Sequence, residues 1–306
     1  MPSWGYGRPV CSRKGEDRPL DFLFSYLNLV AIFIILSLST NLLVGIVGIF
    51  SVSQAAIFGL GAYIVGYCLI NDVIGFLPAL AVAALASLVL NVLITLPSLR
   101  VSGDYFVVTS FGIQLLATAA FTNLTEITGG ASGMPGIPPA EFFGLSFDSG
   151  FKNFQLAAIA ATIASLWFAL LMRAPFGRLL RAIREDELAV AAFGKNVLFA
   201  KVRAAAIAGV MAGAAGGLYA VYLSFIDPTT FDLNASVLLL TMVVLGGART
   251  LAGSIVGPLV LLALPQLLTF IDIPTTTAAA VRQGIYGLLL ILFMVFRPQG
   301  LVGEKL

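Results

Sequence analysis

Charged side chains that could make specific contacts are concentrated in one short segment, residues 174–196. They are Arg178, Arg181, Arg184, Glu185, Asp186, Glu187 and Lys195. Their signs are mixed, whereas a helix that lies on lipid carries mainly Lys and Arg on its polar face. Complementary charges set register and orientation when two proteins dock. The segment therefore suits a protein-docking surface, and a solvated loop is the plainer alternative.

A second group of polar residues lies within strongly apolar runs, where amides and hydroxyls could hydrogen-bond a neutral solute. These residues are Asn41, Ser51, Ser53, Gln54, Tyr63, Thr109, Ser110 and Gln114. Serine and threonine in such runs often bond the backbone of their own helix or a neighbouring helix instead. The amides of Asn41 and Gln54 are the stronger candidates, because an unpaired amide in lipid is costly. We predict that this group lines a solute path.

The inventory of reactive residues argues against catalysis. The chain has no histidine, and its two cysteines, Cys11 and Cys68, lack metal-ligand or redox spacing. The carboxylates lie in tails, connections or span ends, which disfavours acid–base chemistry and proton coupling. The sequence has no Gly-x-x-x-x-Gly-Lys-[Ser/Thr] loop to cradle phosphates. We therefore expect no metal and no cofactor in this chain, and ATP, if used, must be bound by a partner.

The elements that must position these residues are membrane spans. Of 306 residues, 59% are hydrophobic and 10% are charged, with a mean hydropathy of +1.01, whereas about 25% charged is usual in soluble domains. We predict an all-α integral membrane protein, a polytopic helical bundle of about eight to ten transmembrane segments. Residues 1–20 form a polar tail and residues 21–306 a single transmembrane domain. The net charge of +2 gives no indication of a nucleic-acid partner.

Nine apolar runs can be traced along the chain. They lie at about 22–40, 42–70, 76–98, 105–124, 154–172, 202–226, 235–247, 251–271 and 279–296. The run at 42–70 is interrupted by several glycines and by Ser51, Ser53 and Gln54. Such interruptions permit close helix crossing or an unwound helix lining a substrate path. We predict a discontinuous helix near residues 42–66.

The connections between runs indicate the orientation of the chain. Residues 173–203 are rich in Lys and Arg, which places them in the cytoplasm by the positive-inside rule. The Gly/Pro-rich loop at 125–153 then lies on the opposite side, as a gate or as an ordinary connector. The basic residues of the N-terminal tail favour a cytoplasmic N-terminus. The five apolar runs before residue 173, however, lead back from the cytoplasm to an external one. Either the tail breaks the rule or the 20–70 region crosses the membrane once more through short pieces, and we expect the second.

Within the charged segment, the residue spacing predicts one short amphipathic helix. Pro175 suits its first turn and Gly194 suits its C-terminal cap. The apolar positions Ile183, Val190 and Phe193 recur at helical spacing and predict the buried face. The helix is too short and too charged to span, so it should lie at the cytoplasmic membrane surface.

The charged segment and five other blocks of the sequence resemble a known family. GRLLRAIREDELAVAAFGKN at 177–196 is similar to the cytoplasmic coupling loop of permease subunits in ATP-binding-cassette importers of the branched-chain amino acid type. Other blocks follow in the family's order: NLLVGIVGIFSVSQAAIFGLGAY at 41–63, LRVSGDYFVVTSFG at 99–112, TGGASGMPGIP at 128–138, LLTMVVLGGARTLAGSIVGPLV at 239–260 and FRPQGLVG at 296–303. The pattern suits the second, larger-loop member of the permease pair.

The resemblance implies which residues face the partners. Glu187, Ala191 and Gly194 would contact an ATPase subunit, within a contact region at 178–196 that includes Lys195 and Asn196. It implies a homologous second permease, two cytoplasmic ATPase subunits that bind ATP and Mg, an external or periplasmic binding protein, and the inner membrane of a prokaryote. One departure lies at 247–250, where the family more often has Gly-Leu-Gly-Ser and this chain has Gly-Ala-Arg-Thr. The extra Arg249 puts a role for that loop in doubt.

The function expected from this resemblance is import by alternating access. Branched-chain or other hydrophobic amino acids are the leading substrates, with urea, short amides and aromatic acids as alternatives. Two rival classes stay open: an ion-coupled secondary transporter, in which backbone carbonyls could hold sodium, and a structural or assembly membrane protein. We expect Glu187→Lys to uncouple ATPase docking with little loss of folding.

Overall fold

The computed structural model describes residues 18–98, 103–142, 145, 146, 150–268, 284, 287, 288 and 300–302. The helices are α1 (Arg18–Thr40), which continues into a π-helical turn (Asn41–Val47), α2 (Gln54–Ile70), α3 (Phe76–Ser98), α4 (Gly103–Asn123), α5 (Thr125–Thr128), α6 (Gly150–Arg173), α7 (Pro175–Glu185), α8 (Glu187–Ala192), α9 (Val197–Leu223), α10 (Leu233–Gly246) and α11 (Leu251–Leu268). Short 3-10 turns lie at Gly130–Ser132 and Pro228–Phe231. The strands are β1 (Met134–Pro135), β2 (Glu141–Phe142), β3 (Leu145–Ser146) and β4 (Phe225–Ile226).

The described helices confirm an all-α polytopic membrane protein. Five of them are long and apolar enough to cross a bilayer: Leu23–Val47, Phe76–Pro97, Tyr105–Asn123, Gly150–Arg173 and Val197–Leu223. Three shorter apolar helices, α2, α10 and α11, accompany them. Residues 1–17 of the predicted tail and the predicted run at 279–296, apart from residues 284, 287 and 288, lie outside the described residues, and Arg18 already begins α1.

The predicted discontinuous helix is present. The π-helical turn ends at Gly48, whose φ of 83° lies in the left-handed region that glycine adopts without strain. An irregular stretch follows, and α2 begins at Gln54. Backbone of this kind is tolerated inside a membrane protein only where protein groups or a cavity satisfy it.

The bundle is organised around α9, which packs along α2 and α3. Helices in lipid associate mainly by close packing, so small residues at the crossing let the backbones approach. A Cβ at Gly61 would collide with the backbone of Gly213, and one at Gly216 would collide with the carbonyl oxygen of Phe58. The α2–α9 crossing therefore requires glycine on both helices.

The orientation of α1 overturns the expected extra crossing. The hydroxyl of Tyr222, at the end of α9, donates to the carbonyl oxygen of Ser25 at 3.1 Å. At the other end of α1, Arg184 of α7 donates to the carbonyl oxygen of Val44 at 3.3 Å. Since α9 has 27 residues and spans about 40 Å, the start of α1 lies at the end of the bundle opposite α7. The described start of α1 and the Lys/Arg-rich segment 173–203 therefore lie at opposite ends of the bundle.

The Gly/Pro-rich loop is tied to the same end of the bundle as the start of α1. Strand β1 pairs antiparallel with β4, which directly follows α9. The backbone N–H groups of Gly136 and Ile137 both donate to the carbonyl oxygen of Ser224, at 3.1 and 3.2 Å. The loop is therefore held by the α9–α10 connection, whichever of its two predicted roles it has.

Candidate functional site

The charged segment begins as an amphipathic helix folded back against α6. Pro175 occupies the first turn of α7, as predicted. Leu180 and Ile183 are buried, while Arg178 and Arg181 on the opposite face are exposed. A Cβ at Gly177 would lie 2.5 Å from the carbonyl oxygen of Leu171. Glycine thus allows α7 to pack directly on the last turn of α6.

The single predicted helix is interrupted at Asp186. This residue is extended, and its carboxylate accepts a hydrogen bond from the backbone N–H of Ala189 at 2.9 Å. A side-chain oxygen in this position is the usual N-terminal cap of a helix, so a second helix, α8, starts with a new rotational phase. Val190 stays buried as predicted, but Phe193 does not, since 84% of it is exposed. The prediction that Phe193 lies on the buried face is wrong for this reason.

The new phase creates an exposed surface with two large apolar side chains. Leu188 is 82% exposed and Phe193 is 84% exposed. Of the predicted contact residues, the exposed ones are Arg178, Arg181, Glu185, Asp186, Glu187, Ala191, Gly194, Lys195 and Asn196. Exposed apolar side chains among exposed charged ones have the composition of a docking surface, in which apolar anchors are accompanied by polar residues. We call the surface formed by Leu188, Phe193 and the three acids Glu185, Asp186 and Glu187 the α8 surface.

Two capping residues fix the backbone between α8 and α9. Gly194 follows α8 with a φ of 74°, which confirms the predicted glycine cap. Asn196 then caps α9, because its side-chain oxygen accepts from the backbone N–H of Phe199 at 3.0 Å. The α8 surface is therefore held between two capped helices.

The ion pair of Glu187 changes the expectation for Glu187→Lys. The Glu187 carboxylate lies 2.5 Å from the ammonium of Lys201, whose side chain is only 13% exposed. A lysine at 187 would place two like charges together at the start of α8. The expectation for Glu187→Lys stays a prediction, but the substitution changes an ion pair as well as the docking surface, so Leu188 is the cleaner probe.

Arg184 differs from the other predicted contact residues because it faces inward. Its guanidinium donates to the carbonyl oxygens of Val44 and Gly45 in the π-helical turn. Partial burial lowers the pKa of Arg184, and the nearby positive charge of Arg249 lowers it further. Arg184 thus connects α7 to the backbone just before the discontinuity.

The start of α2 is surrounded by side chains from other helices. The N–H of Val52 donates to the Ser110 hydroxyl at 3.1 Å, and that of Ala55 to the Ser236 hydroxyl at 3.2 Å. The N–H of Ala56 donates to Oε1 of Gln114 at 3.0 Å. These side chains satisfy the unpaired donors of the helix start within the bundle.

Gln114 is the centre of this network. Its Oε1 also accepts from the Ser236 hydroxyl at 3.1 Å, and its Nε2 donates to the carbonyl oxygen of Phe231 at 2.8 Å. The side chain is fully buried. Gln114 therefore joins α4 to α2, α10 and the 3-10 turn before α10.

Gln54 and Tyr63 present the opposite situation. Both side chains are buried, yet the two amide atoms of Gln54 and the hydroxyl of Tyr63 have no hydrogen-bond partner among the described residues. The Tyr63 ring packs at centroid distances of 4.9 Å from Phe121 and 5.8 Å from Phe231. A buried polar group without a partner is costly, so these atoms are available to a ligand.

The remaining predicted path residues have protein partners. Asn41 donates to the Ser254 hydroxyl at 2.7 Å and accepts from the N–H of Arg249 at 2.9 Å. The Ser51 and Ser53 hydroxyls bond each other at 2.9 Å. Thr109 bonds the carbonyl oxygen of Tyr105 in its own helix at 2.9 Å.

Sequence reasoning missed Leu188 and Ser236. The capping preference of Asp186, followed by the apolar Leu188, was a local signal that could have indicated the break before α8. For Ser236 the sequence has no such signal, because its partners lie 181 and 122 residues away.

A known protein family and several named relatives match most of this chain. The family model for the permease component of branched-chain amino acid transport systems matches residues 22–294. The permease protein LivM of Escherichia coli, named for high-affinity branched-chain amino acid transport, is 31% identical over 90% of this chain and 68% of its own length. Its Salmonella typhimurium counterpart is also 31% identical, over 89% of this chain. A probable LivM of Methanocaldococcus jannaschii is 29% identical over 77%.

No solved structure matches this chain. The family match covers nearly all of the described spans together with α7 and α8. The chain therefore belongs to the family of permease components of branched-chain amino acid transport systems.

Proposed function

We propose that this chain is the membrane-spanning subunit of an ATP-binding-cassette importer that moves branched-chain or other hydrophobic amino acids by alternating access. It acts in the inner membrane of a prokaryote, beside a homologous permease, and is served by an external or periplasmic binding protein. Two cytoplasmic ATPase subunits bind ATP and Mg and drive the cycle. The observation that carries the proposal is the exposed α8 surface on a chain of this family.

The α8 surface is the docking site for an ATPase subunit in this proposal. Leu188 and Phe193 fill apolar pockets on the partner, and the charges around them set the orientation. Movement of α7 reaches the interior through Arg184, which holds the carbonyl groups of Val44 and Gly45. The backbone then turns at Gly48 and enters the irregular stretch before α2. Closure of the ATPase subunits is therefore transmitted to the discontinuity.

The substrate path runs along α2 in this proposal. The unpartnered amide of Gln54 and hydroxyl of Tyr63 can hydrogen-bond the polar groups of a zwitterionic amino acid. Phe231 is fully buried and packs against Phe58, Tyr63 and Tyr219, at centroid distances of 5.3, 5.8 and 6.1 Å. Its ring closes the path on the side of the α9–α10 connection, which makes it the gate of the state described.

The alternative substrates and the ion-coupled mechanism are not favoured. The relatives that cover most of this chain are named for branched-chain amino acid transport. The family is that of a transport component, so the chain is a transport protein rather than an enzyme.

The test is purification of the chain from its native membrane in mild detergent. We expect a second permease and ATPase subunits to co-purify, with ATP hydrolysis that rises when leucine and the binding protein are added. A Leu188→Ala/Phe193→Ala variant should lose the ATPase subunits but retain the second permease. A lone chain without ATPase subunits, even after chemical crosslinking in the membrane, would overturn the proposal.

A further inference from the structure

A cleft rich in arginine lies beside the π-helical turn, apart from the α8 surface. It has a volume of about 680 Å³ and is formed by the end of α6, by α7, by the π-helical turn and by the start of α11. Its charged lining residues are Arg173, Arg181, Arg184, Arg249 and Glu185. Four guanidinium groups therefore share one cleft with a single carboxylate.

The positive charge of this cleft is not neutralised within the described part of the chain. Among the described residues, the only ion pair joins Glu187 and Lys201, and neither residue lines the cleft. Arg184 is half-buried, and burial together with the charge of Arg249 lowers its pKa. Like charges in a partly desolvated site repel each other strongly, so the cleft favours an anion.

Arg249 reaches this cleft from a backbone conformation that suits glycine. Its φ is 77°, which a residue with a side chain rarely adopts. The Asn41 side chain holds this conformation by accepting the Arg249 N–H at 2.9 Å. Strain of this kind persists where the surrounding structure enforces it and is concentrated at functional sites.

The arginines keep donors for a ligand. Arg181 donates from Nη2 to the carbonyl oxygen of Met172 at 3.1 Å, and Arg184 donates from Nη1 to the π-helical turn. Each guanidinium has five N–H donors, more than these contacts use. Its planar fork matches the oxygens of a phosphate group.

We propose that this cleft binds a phosphate-type anion, carried by an anionic phospholipid head group or free in solution, and that Arg249 completes the site. Basic pockets between transmembrane helices at the cytoplasmic side bind such head groups. The bound anion would join α7, the π-helical turn and the α10–α11 connection. This inference does not depend on which solute the protein transports.

The test uses the purified full-length chain in detergent. Thermal unfolding is followed during titration with phosphatidylglycerol, with phosphatidylcholine, and with inorganic phosphate against chloride at equal ionic strength. Arg249→Gly removes the charge and relieves the backbone. Arg178→Gln is the control for a general loss of positive charge. Arg178 lies on α7, as Arg181 and Arg184 do, but does not line the cleft.

We expect phosphatidylglycerol to stabilise the chain more than phosphatidylcholine does. Arg249→Gly should weaken this apparent affinity about tenfold without lowering the unfolding temperature in the absence of anion, and Arg178→Gln should leave it unchanged. Stabilisation by inorganic phosphate as well would assign the site to free phosphate, and stabilisation by phosphatidylglycerol alone to the lipid.

Two results would overturn the proposal. One is equal stabilisation by the two lipids, without any effect of inorganic phosphate. The other is an Arg249→Gly variant that responds to both anions like the unaltered chain. If that variant kept its lipid response but lost ATPase subunits, the cleft would belong to a protein interface instead.

Discussion

The start of α2 and the α8 surface differ in whether their side chains find contacts within the chain. At the start of α2, polar side chains from α4 and α10 satisfy the backbone of another helix inside the bundle. On α8, Leu188 and Phe193 are exposed next to an acidic rim. In the first region these backbone donors are satisfied within one chain, whereas in our proposal the second region binds another protein. In this membrane protein, a binding surface is therefore indicated by side chains that have no contacts within the chain, and not by residue type alone.

The largest effect is expected when the apolar anchors of α8 are removed. Leu188→Ala combined with Phe193→Ala should reduce ATPase association by more than about tenfold, since such central anchors carry most of an interface's binding energy. The unfolding temperature of the isolated chain should not change, because both side chains are exposed. Leu85→Ala on α3, which is 62% exposed, is the control. Equal loss of association in both variants would remove the distinction between α8 and the rest of the exposed apolar surface.

Gln114→Leu should mainly affect stability. It leaves the N–H of Ala56 and the hydroxyl of Ser236 without their acceptor, at a cost of about 1–3 kcal/mol for each buried group. The chain should unfold at a markedly lower temperature. Thr109→Val is the control, because Thr109 bonds only its own helix. If the two variants were equally stable, the network around the start of α2 would not be structural.

Gln54→Leu should have the opposite profile. Its amide has no partner among the described residues, so an apolar side chain of similar size should leave the unfolding temperature unchanged or raise it. Amino acid uptake into proteoliposomes should fall, because a hydrogen-bonding group of the path is lost. A variant that unfolds more easily but transports normally would assign Gln54 to the structure and not to the path.

The smallest effect is expected for the cap between α7 and α8. Asp186→Ala removes the acceptor for the N–H of Ala189, which costs about 0.5–2 kcal/mol. ATPase association should weaken by less than about tenfold, as α8 loses its fixed phase. Asp186→Asn retains an oxygen acceptor and should behave like the unaltered chain. An alanine variant with full association would mean that the phase of α8 is set elsewhere.

Local signals made much of this fold predictable. Apolar runs marked the spans, the glycines and serines after Gly45 marked the discontinuity, and Pro175 and Gly194 marked helix ends. The end of the bundle at which α1 begins was not predictable from charge counting, because it is set by contacts of α1 with α9 and α7 that are distant in sequence.

The candidate site was predictable in composition but not in geometry. Gln54 and Gln114 are the same residue type in similar apolar runs, yet only Gln114 meets Ser236 and Phe231, which are distant in sequence. The burial of Phe193 was mispredicted because Asp186 ends one helix and caps the next, so the residues after Asp186 point in different directions from those of one continuous helix. The difference between Gln54 and Gln114 arises from tertiary contacts that periodicity does not contain, whereas the error at Phe193 arises from a local cap.

The central claim is that the α8 surface binds an ATPase subunit. The most direct measurement is amide hydrogen exchange over residues 187–193, in the purified chain alone and in an assembled complex with the ATPase subunits. We predict slow exchange of these amides in the complex only, with little change over the control segment 84–90 of α3. Unchanged exchange over 187–193 in a complex whose assembly has been verified would contradict the account.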